Sequence, residues 1–175
     1  MDGRPKNLLH IAPETEFANR FKNIKGLKYF SADLASSHAM IKMDITQMSW
    51  HHAVFDIICC SHVLEHIPDD RKAMKEIFRV LKPNGWAMIQ VPLANGRTIE
   101  DPTITNPVDR ERLFGQSDHV RLYGTDIKSR LESVGFKVEL VYGHQLMKPQ
   151  DCEKMATPSN KPIFHCWKSD GINSI

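Results

Sequence analysis

The chain lacks any apolar run near the roughly 20 residues that span a bilayer, which argues against a membrane helix. Cys-x-x-Cys spacing is also missing. Its four cysteines are Cys59, Cys60, Cys152 and Cys166, and the adjacent pair inside an apolar run reads as buried free thiols. An excess of either charge is absent: 23 Lys and Arg stand against 21 Asp and Glu, so no basic stripe indicates a nucleic acid partner. No G-x-G-x-x-G follows the first apolar run, which removes the usual signature of a nicotinamide-dependent oxidoreductase. Residues 1–6 are polar and lack the apolar core of a signal peptide, so a cytoplasmic location is expected.

What is present suits one globular domain. A chain of 175 residues buries about 70% of its unfolded surface, and the expected extent is 1–170, with 171–175 as a frayed tail. Short apolar runs at 7–12, 27–32, 39–43, 54–60 and 86–91 read as strands, separated by helical patterns at 14–22 and 69–81. In the second helix Met74, Ile77, Phe78 and Leu81 form one stripe, Asp69 and Asp70 favour its start, and Lys82-Pro83-Asn84-Gly85 is the predicted stop. A further helix is predicted at 126–134, with closing strands at 138–142 and 163–167 and a loop at 148–161. This alternation predicts an α/β, Rossmann-like doubly wound sheet, mostly parallel, over an abbreviated N-terminus. One tension remains: only about half a dozen residues separate the second and third strands, whereas a parallel crossover needs about a dozen.

Residues 61–70, SHVLEHIPDD, carry His62, Glu65 and His66 as H-x-x-E-H, a zinc-protease signature when it lies on a helix. A strand ends immediately before His62, and Pro68 turns Ile67 away from helical angles. No further ligand stands out in the sequence, so no metal is expected. The alternative is a turn from a buried strand into a helix, a usual place for a small-molecule site.

The ordered series HIAPE at 10–14, Asp33, Asp44, FDIICCSHVLEHIPD at 55–69 and LKPNGWAMIQVP at 81–92 resembles the class I methyltransferases that use S-adenosyl-L-methionine. FGQSDHVRLYG at 114–124 extends the likeness to a small-molecule-type subgroup. The resemblance implies the family's sheet with an antiparallel C-terminal strand. It also implies a cofactor cleft at the carboxyl ends of the first four strands, and methyl transfer to a small-molecule acceptor.

Carried over by position, Asp33 with Leu34 would meet the ribose hydroxyls, and Asp44 with Ile45 the adenine. Ala12, Pro13 and Glu14 would line the first loop, with Glu14 toward the cofactor's ammonium group. Ser61, His62 and Val63 would line the cleft by their backbone. His66, and His62 beside it, are the catalytic candidates, since imidazole titrates in the range a general base needs. Asp118, His119, Arg121 and Tyr123 are the expected substrate contacts, with Arg121 as an anion clamp. Each has a plainer alternative: Asp33 and Asp44 as turn residues, Glu14 as a helix start, His66 as a hydrogen-bonded helix entrance, and the 118–123 group as a lock on its own loop. The family's first loop usually carries three glycines, and here it has none. The first strand begins so early that the family's N-terminal helices are expected to be missing. A second copy or a partner would then cover that side, or the domain would be a degenerate binder without independent activity.

Overall fold

Runs that are apolar on both faces are stable only at the centre of a covered sheet, and that is where they lie. The computed structural model describes residues 4–146 and 162–168. In chain order, β1 (Lys6–Ile11), α1 (Thr15–Lys22), β2 (Leu27–Asp33) and β3 (Ile41–Lys42) lead to β4 (Phe55–Ser61). A 3-10 turn (Leu64–His66), α2 (Asp70–Val80), β5 (Leu81–Gln90), β6 (Ile99–Glu100) and α3 (Pro107–Phe114) follow. The chain continues through β7 (Arg121–Leu122), α4 (Ile127–Glu132), β8 (Lys137–Tyr142), α5 (Gly143–Leu146) and β9 (Pro162–Trp167).

Seven strands form one sheet in the order β3-β2-β1-β4-β5-β9-β8. The first five are mutually parallel, and β9 runs antiparallel to both neighbours. This is the expected mostly parallel sheet with an antiparallel C-terminal strand. β6 and β7 make a separate two-stranded ribbon within the long polar stretch after β5.

Register sorts the side chains into two faces. Leu9, Ile11, Ile58, Cys60, Ala87, Ile89 and Phe164 are buried and join Ala73, Met74, Ile77 and Val80 of α2 in the main core. Each of the larger ones (Leu, Ile, Val, Met and Phe) contributes about 1.5–3 kcal/mol by leaving water. The Asp69 carboxylate accepts from the Lys72 amide at 2.9 Å and caps α2, an interaction worth about 1 kcal/mol. The opposite face carries Leu8, Ile57, Cys59, Trp86 and Met88, which border an apolar cavity of about 450 Å³ beside Phe21 and Ile24. Cys59, Cys60 and Cys166 are buried free thiols, as expected, and burial raises the Cys59 thiol to about 12. Cys152, the 148–161 loop and the 171–175 tail lie outside the described residues.

One expectation holds and one boundary differs from the sequence reading. The β2–β3 connection has no helix, and its shortness limits parallel pairing to Ala32↔Ile41 and Asp33↔Lys42. Lys82-Pro83-Asn84-Gly85 does not separate α2 from its strand; it lies inside β5. The register jumps from Phe55↔Leu81 to Ile57↔Trp86, and Asn84 takes a φ of 62° in the bulge. A cluster of turn residues marks a bulge as readily as a loop. Among the described residues, no helix is long and apolar enough to cross a membrane.

Candidate functional site

The order of strands reverses between β1 and β4, so the connections leaving their carboxyl ends diverge and open a crevice there. Both connections begin with a residue in the left-handed region: Ala12 has φ 49° and His62 has φ 53°. A side-chain-bearing residue pays about 1–2 kcal/mol for that conformation, and such strain gathers at functional sites. Ala12 therefore makes the turn that glycine makes freely, and its methyl group is the smallest side chain that could stand there. The glycine-free loop thus keeps a glycine-like backbone, and this observation fits a bound nucleoside-type cofactor. Pro13 contributes no amide donor, so that loop offers fewer hydrogen bonds than a glycine-rich one.

Glu14 sits at the N-cap of α1. Its Oε2 lies 2.7 Å from Nε2 of His10, whose Nδ1 is 3.2 Å from the Tyr29 hydroxyl. His10 is buried at the end of β1. Burial pushes the Glu14 carboxyl up, but the His10 hydrogen bond, its own backbone amide, the His10 charge and the Ser61 hydroxyl outweigh it. The net shift is below the ordinary value. Glu14 is thus an anion at the mouth of the crevice, held from both the β1 and β4 sides.

Asp33 closes β2. Its Oδ1 accepts from the amides of Ala35 and Ser36, both at 2.7 Å, which fixes the carboxylate at the strand end. Leu34 is 57% exposed beside it. Asp44 is exposed and accepts from the Thr46 amide at 2.8 Å. Ile45, by contrast, is buried in the core and does not present a packing surface to the crevice. The chain leaving β3 turns both Met43 and Ile45 into the core, so Ile45 is not placed to pack on an adenine ring.

Ser61 is half-buried, His62 exposed and Val63 buried. His62 donates its backbone N–H to the Gln90 carbonyl at 2.9 Å, which keeps the β4 exit against β5. His66 lies on the 3-10 turn, with Nδ1 3.2 Å from Asp118 Oδ2.

The 118–123 group splits in two. Asp118 is exposed, while His119 is buried with Nδ1 bonded to the Phe114 carbonyl at 3.0 Å. Arg121 is not an anion clamp. It is buried, and its guanidinium donates to the carbonyls of Leu64 (3.0 Å), Ile67 and Pro68 (2.8 Å) and to Glu100 (3.0 Å). Tyr123 is likewise fully buried and donates to Asp70 at 2.7 Å. Burial and the Asp70 charge raise its hydroxyl pKa strongly. These two residues lock the long segment onto the 64–70 turn, and the Arg121 guanidinium is committed to these internal partners.

Sequence reasoning missed the remaining members of the lock. Arg130 binds Glu100 at 2.6 Å and Asp70 at 3.1 Å. The Arg130 hydrogen bond, against burial, and then the Arg121 bond hold the Glu100 carboxyl below its ordinary value. Gly124 follows directly, where a Cβ would lie 2.3 Å from the Gly96 carbonyl oxygen, so only glycine fits. The His10–Glu14 pair was also missed, although its i,i+4 spacing across a strand-to-helix turn was a usable signal.

A smaller cavity of about 170 Å³, lined by Pro13, Tyr29, Ser31 and His38 among others, flanks the first loop. The larger apolar cavity by Trp86 lies on the sheet face, away from these polar groups. Size alone would favour the latter, but only the crevice combines strained backbone with fixed carboxylates.

A family model described as a methyltransferase domain matches residues 4–141. No curated protein matches the sequence. Among solved structures, the YcgJ protein of Bacillus subtilis is 18% identical with a TM-score of 0.63, covering 97% of this chain and 95% of its own. The Burkholderia thailandensis 1,6-didemethyltoxoflavin-N1-methyltransferase, bound to 1,6-didemethyltoxoflavin and S-adenosylhomocysteine, is 14% identical with a TM-score of 0.61, covering 96% and 73%. A putative Haloferax volcanii methyltransferase in complex with the Trm112 methyltransferase activator is 12% identical with a TM-score of 0.62, covering 93% and 82%. These likenesses establish a shared fold. The family match over most of the chain goes further: this chain belongs to the methyltransferase domain family.

Proposed function

We propose that the chain transfers a methyl group to a small-molecule acceptor bound over the carboxyl ends of β1 and β4. The observation that carries this reading is the paired left-handed backbone at Ala12 and His62, facing each other across the switch point with Glu14 beside them. When bound, S-adenosylmethionine supplies a sulfonium-activated methyl group. The chain's own residues bind, orient and exclude water.

In this reading the fixed Asp33 carboxylate accepts from the ribose hydroxyls, and Leu34 packs beside the adenosine. Anionic Glu14, tied to His10, accepts from the cofactor's ammonium group. The backbone of Ser61, His62 and Val63 lines the reacting end, and Asp44 sits at the adenine side. His66 and His62 stand nearest the acceptor, where either imidazole could take the proton that the acceptor loses. Asp118, exposed and paired with His66, is the remaining polar contact of the 118–123 group toward an acceptor.

Calorimetric titration of the purified chain with S-adenosylmethionine tests this assignment. Saturable binding that is lost in Asp33→Ala and weakened in Glu14→Gln is the expected result. Binding indifferent to both substitutions refutes the site while leaving the family standing. Folded protein that binds no cofactor favours a second reading, a domain that needs a partner. The 38% exposed Trp86 on the apolar sheet face motivates that reading. Sedimentation of the chain as a dimer, or cofactor binding that appears only with an added partner, would support it.

A further inference from the structure

The H-x-x-E-H stretch does not form a protease helix. His62 has φ 53°, and the Leu64–His66 turn is a single 3-10 turn, so His62 and His66 are not successive residues on one helix face. The fold nevertheless supplies the ligand that the sequence did not reveal. Val120 donates its N–H to the Glu65 carbonyl at 2.9 Å, which draws the 116–120 segment onto the turn and brings His119 beside it.

One donor atom each from Glu65, His66 and His119 then lie within 4.8 Å of one another. The two imidazole rings meet edge to face at 4.7 Å between centroids. Glu65 is 1% exposed, and neither carboxylate oxygen has a hydrogen-bond partner. The nearest group that could carry positive charge is His62, whose Nδ1 lies 3.4 Å from Glu65 Oε1 outside hydrogen-bond geometry. Leaving buried acceptors unmade is costly, more so when they are charged.

His119 is set up for the same task. It donates its Nδ1–H to the Phe114 carbonyl, while His66 Nδ1 lies 3.2 Å from Asp118 Oδ2 as an ion-pair contact. In the neutral ring, an Nδ1–H engaged by an oxygen leaves Nε2 with its lone pair. That is the outer-shell arrangement which orients metal-bound histidines.

We propose that Glu65, His66 and His119 form a binding site for a divalent first-row transition ion, with Zn²⁺ the ion it fits best. Two imidazoles and one carboxylate suit such an ion and disfavour Mg²⁺ or Ca²⁺, which take oxygen ligands. Three protein ligands leave a coordination position open. His66 is 31% exposed, so the site is reachable from solvent. The ion neutralises Glu65 and clips the 116–120 segment onto the turn that follows β4; with His66 holding the ion, the proton-accepting role falls to His62 alone. The inference does not depend on the methyl-transfer reading, because metal binding is measured without cofactor.

The test uses the untagged full chain, freed of metal by dialysis against a chelator. It is titrated with Zn²⁺ by calorimetry, and the absorption spectrum is recorded with Co²⁺. One Zn²⁺ per chain is expected. Glu65→Gln and His119→Gln should each weaken it by more than about a hundredfold, as for loss of a ligand. A double His51→Ala, His52→Ala variant should bind as the unmodified chain does. Absence of saturable binding overturns the proposal, as does binding unchanged in Glu65→Gln or lost in the double variant. If His119→Gln fails to fold, the near-isosteric Glu65→Gln and the Co²⁺ spectrum of the unmodified chain decide. A spectrum of low-coordinate Co²⁺ bound by nitrogen sustains the site, and that of the hydrated ion refutes it.

Discussion

Replacing Arg121 by alanine separates a lock from a substrate clamp. The substitution strips donors from the carbonyls of Leu64, Ile67 and Pro68 and from the Glu100 carboxylate. Arg121 is buried, and breaking a buried charged network by removing one partner costs about 3–5 kcal/mol. The Glu100 side chain is 39% exposed, so its share is screened by solvent and the three carbonyls dominate. In a domain of this size each kcal/mol lowers Tm by about 2–4 °C, which gives a fall of about 6–20 °C. Thermal unfolding followed by circular dichroism would measure the Tm, and urea unfolding followed by tryptophan fluorescence the free energy. Arg121→Lys should recover little, because one ammonium cannot reach carbonyls and carboxylate arrayed for a planar fork. A loss below about 1 kcal/mol, accompanied by a raised KM for an acceptor, would refute the lock and restore the clamp.

Other consequences follow from the same geometry. Ala12→Gly should leave stability within about 1 kcal/mol, since relief at φ 49° offsets the added freedom of the unfolded chain. Ala12→Val should instead be clearly destabilising by thermal melt and should weaken cofactor binding, because a β-branched residue disfavours positive φ. Gly124→Ala should unfold the 93–124 segment or the domain, read by limited proteolysis, since the new Cβ would strike the Gly96 backbone. Acid should destabilise the chain through Glu100, Asp56 and Glu76, whose folded pKa values all lie below their ordinary values. Their contribution is full above the ordinary carboxylate range and is lost as pH falls through the folded values. Glu100→Gln should flatten that part of the urea-midpoint profile.

The main strands and α2 were legible because apolar runs and a 3–4 stripe are local signals. FDIICCS became β4, and Met74 with Ile77 became the buried stripe of α2. The β5 bulge was not legible, because Pro83, Asn84 and Gly85 carry the same turn chemistry whether they end an element or interrupt one. At the site, Asp33, Glu14 and Ser61 came to the strand ends as their positions implied. Arg121 and Tyr123 looked like surface polar residues because nothing local announces the Leu64, Pro68 and Asp70 groups they bury against. The same blindness hid His119 from Glu65, residues 54 positions apart whose meeting depends on the whole fold.

The central claim is that the crevice between β1 and β4 holds the cofactor despite its glycine-free loop. A crystal structure of the chain soaked with S-adenosylhomocysteine tests it most directly. The account predicts the ribose hydroxyls on Asp33 and the amino group at Glu14, with Ala12 still at positive φ. Ligand density in the apolar cavity by Leu8 and Trp86, or a crevice without ligand at saturating concentration, would contradict it.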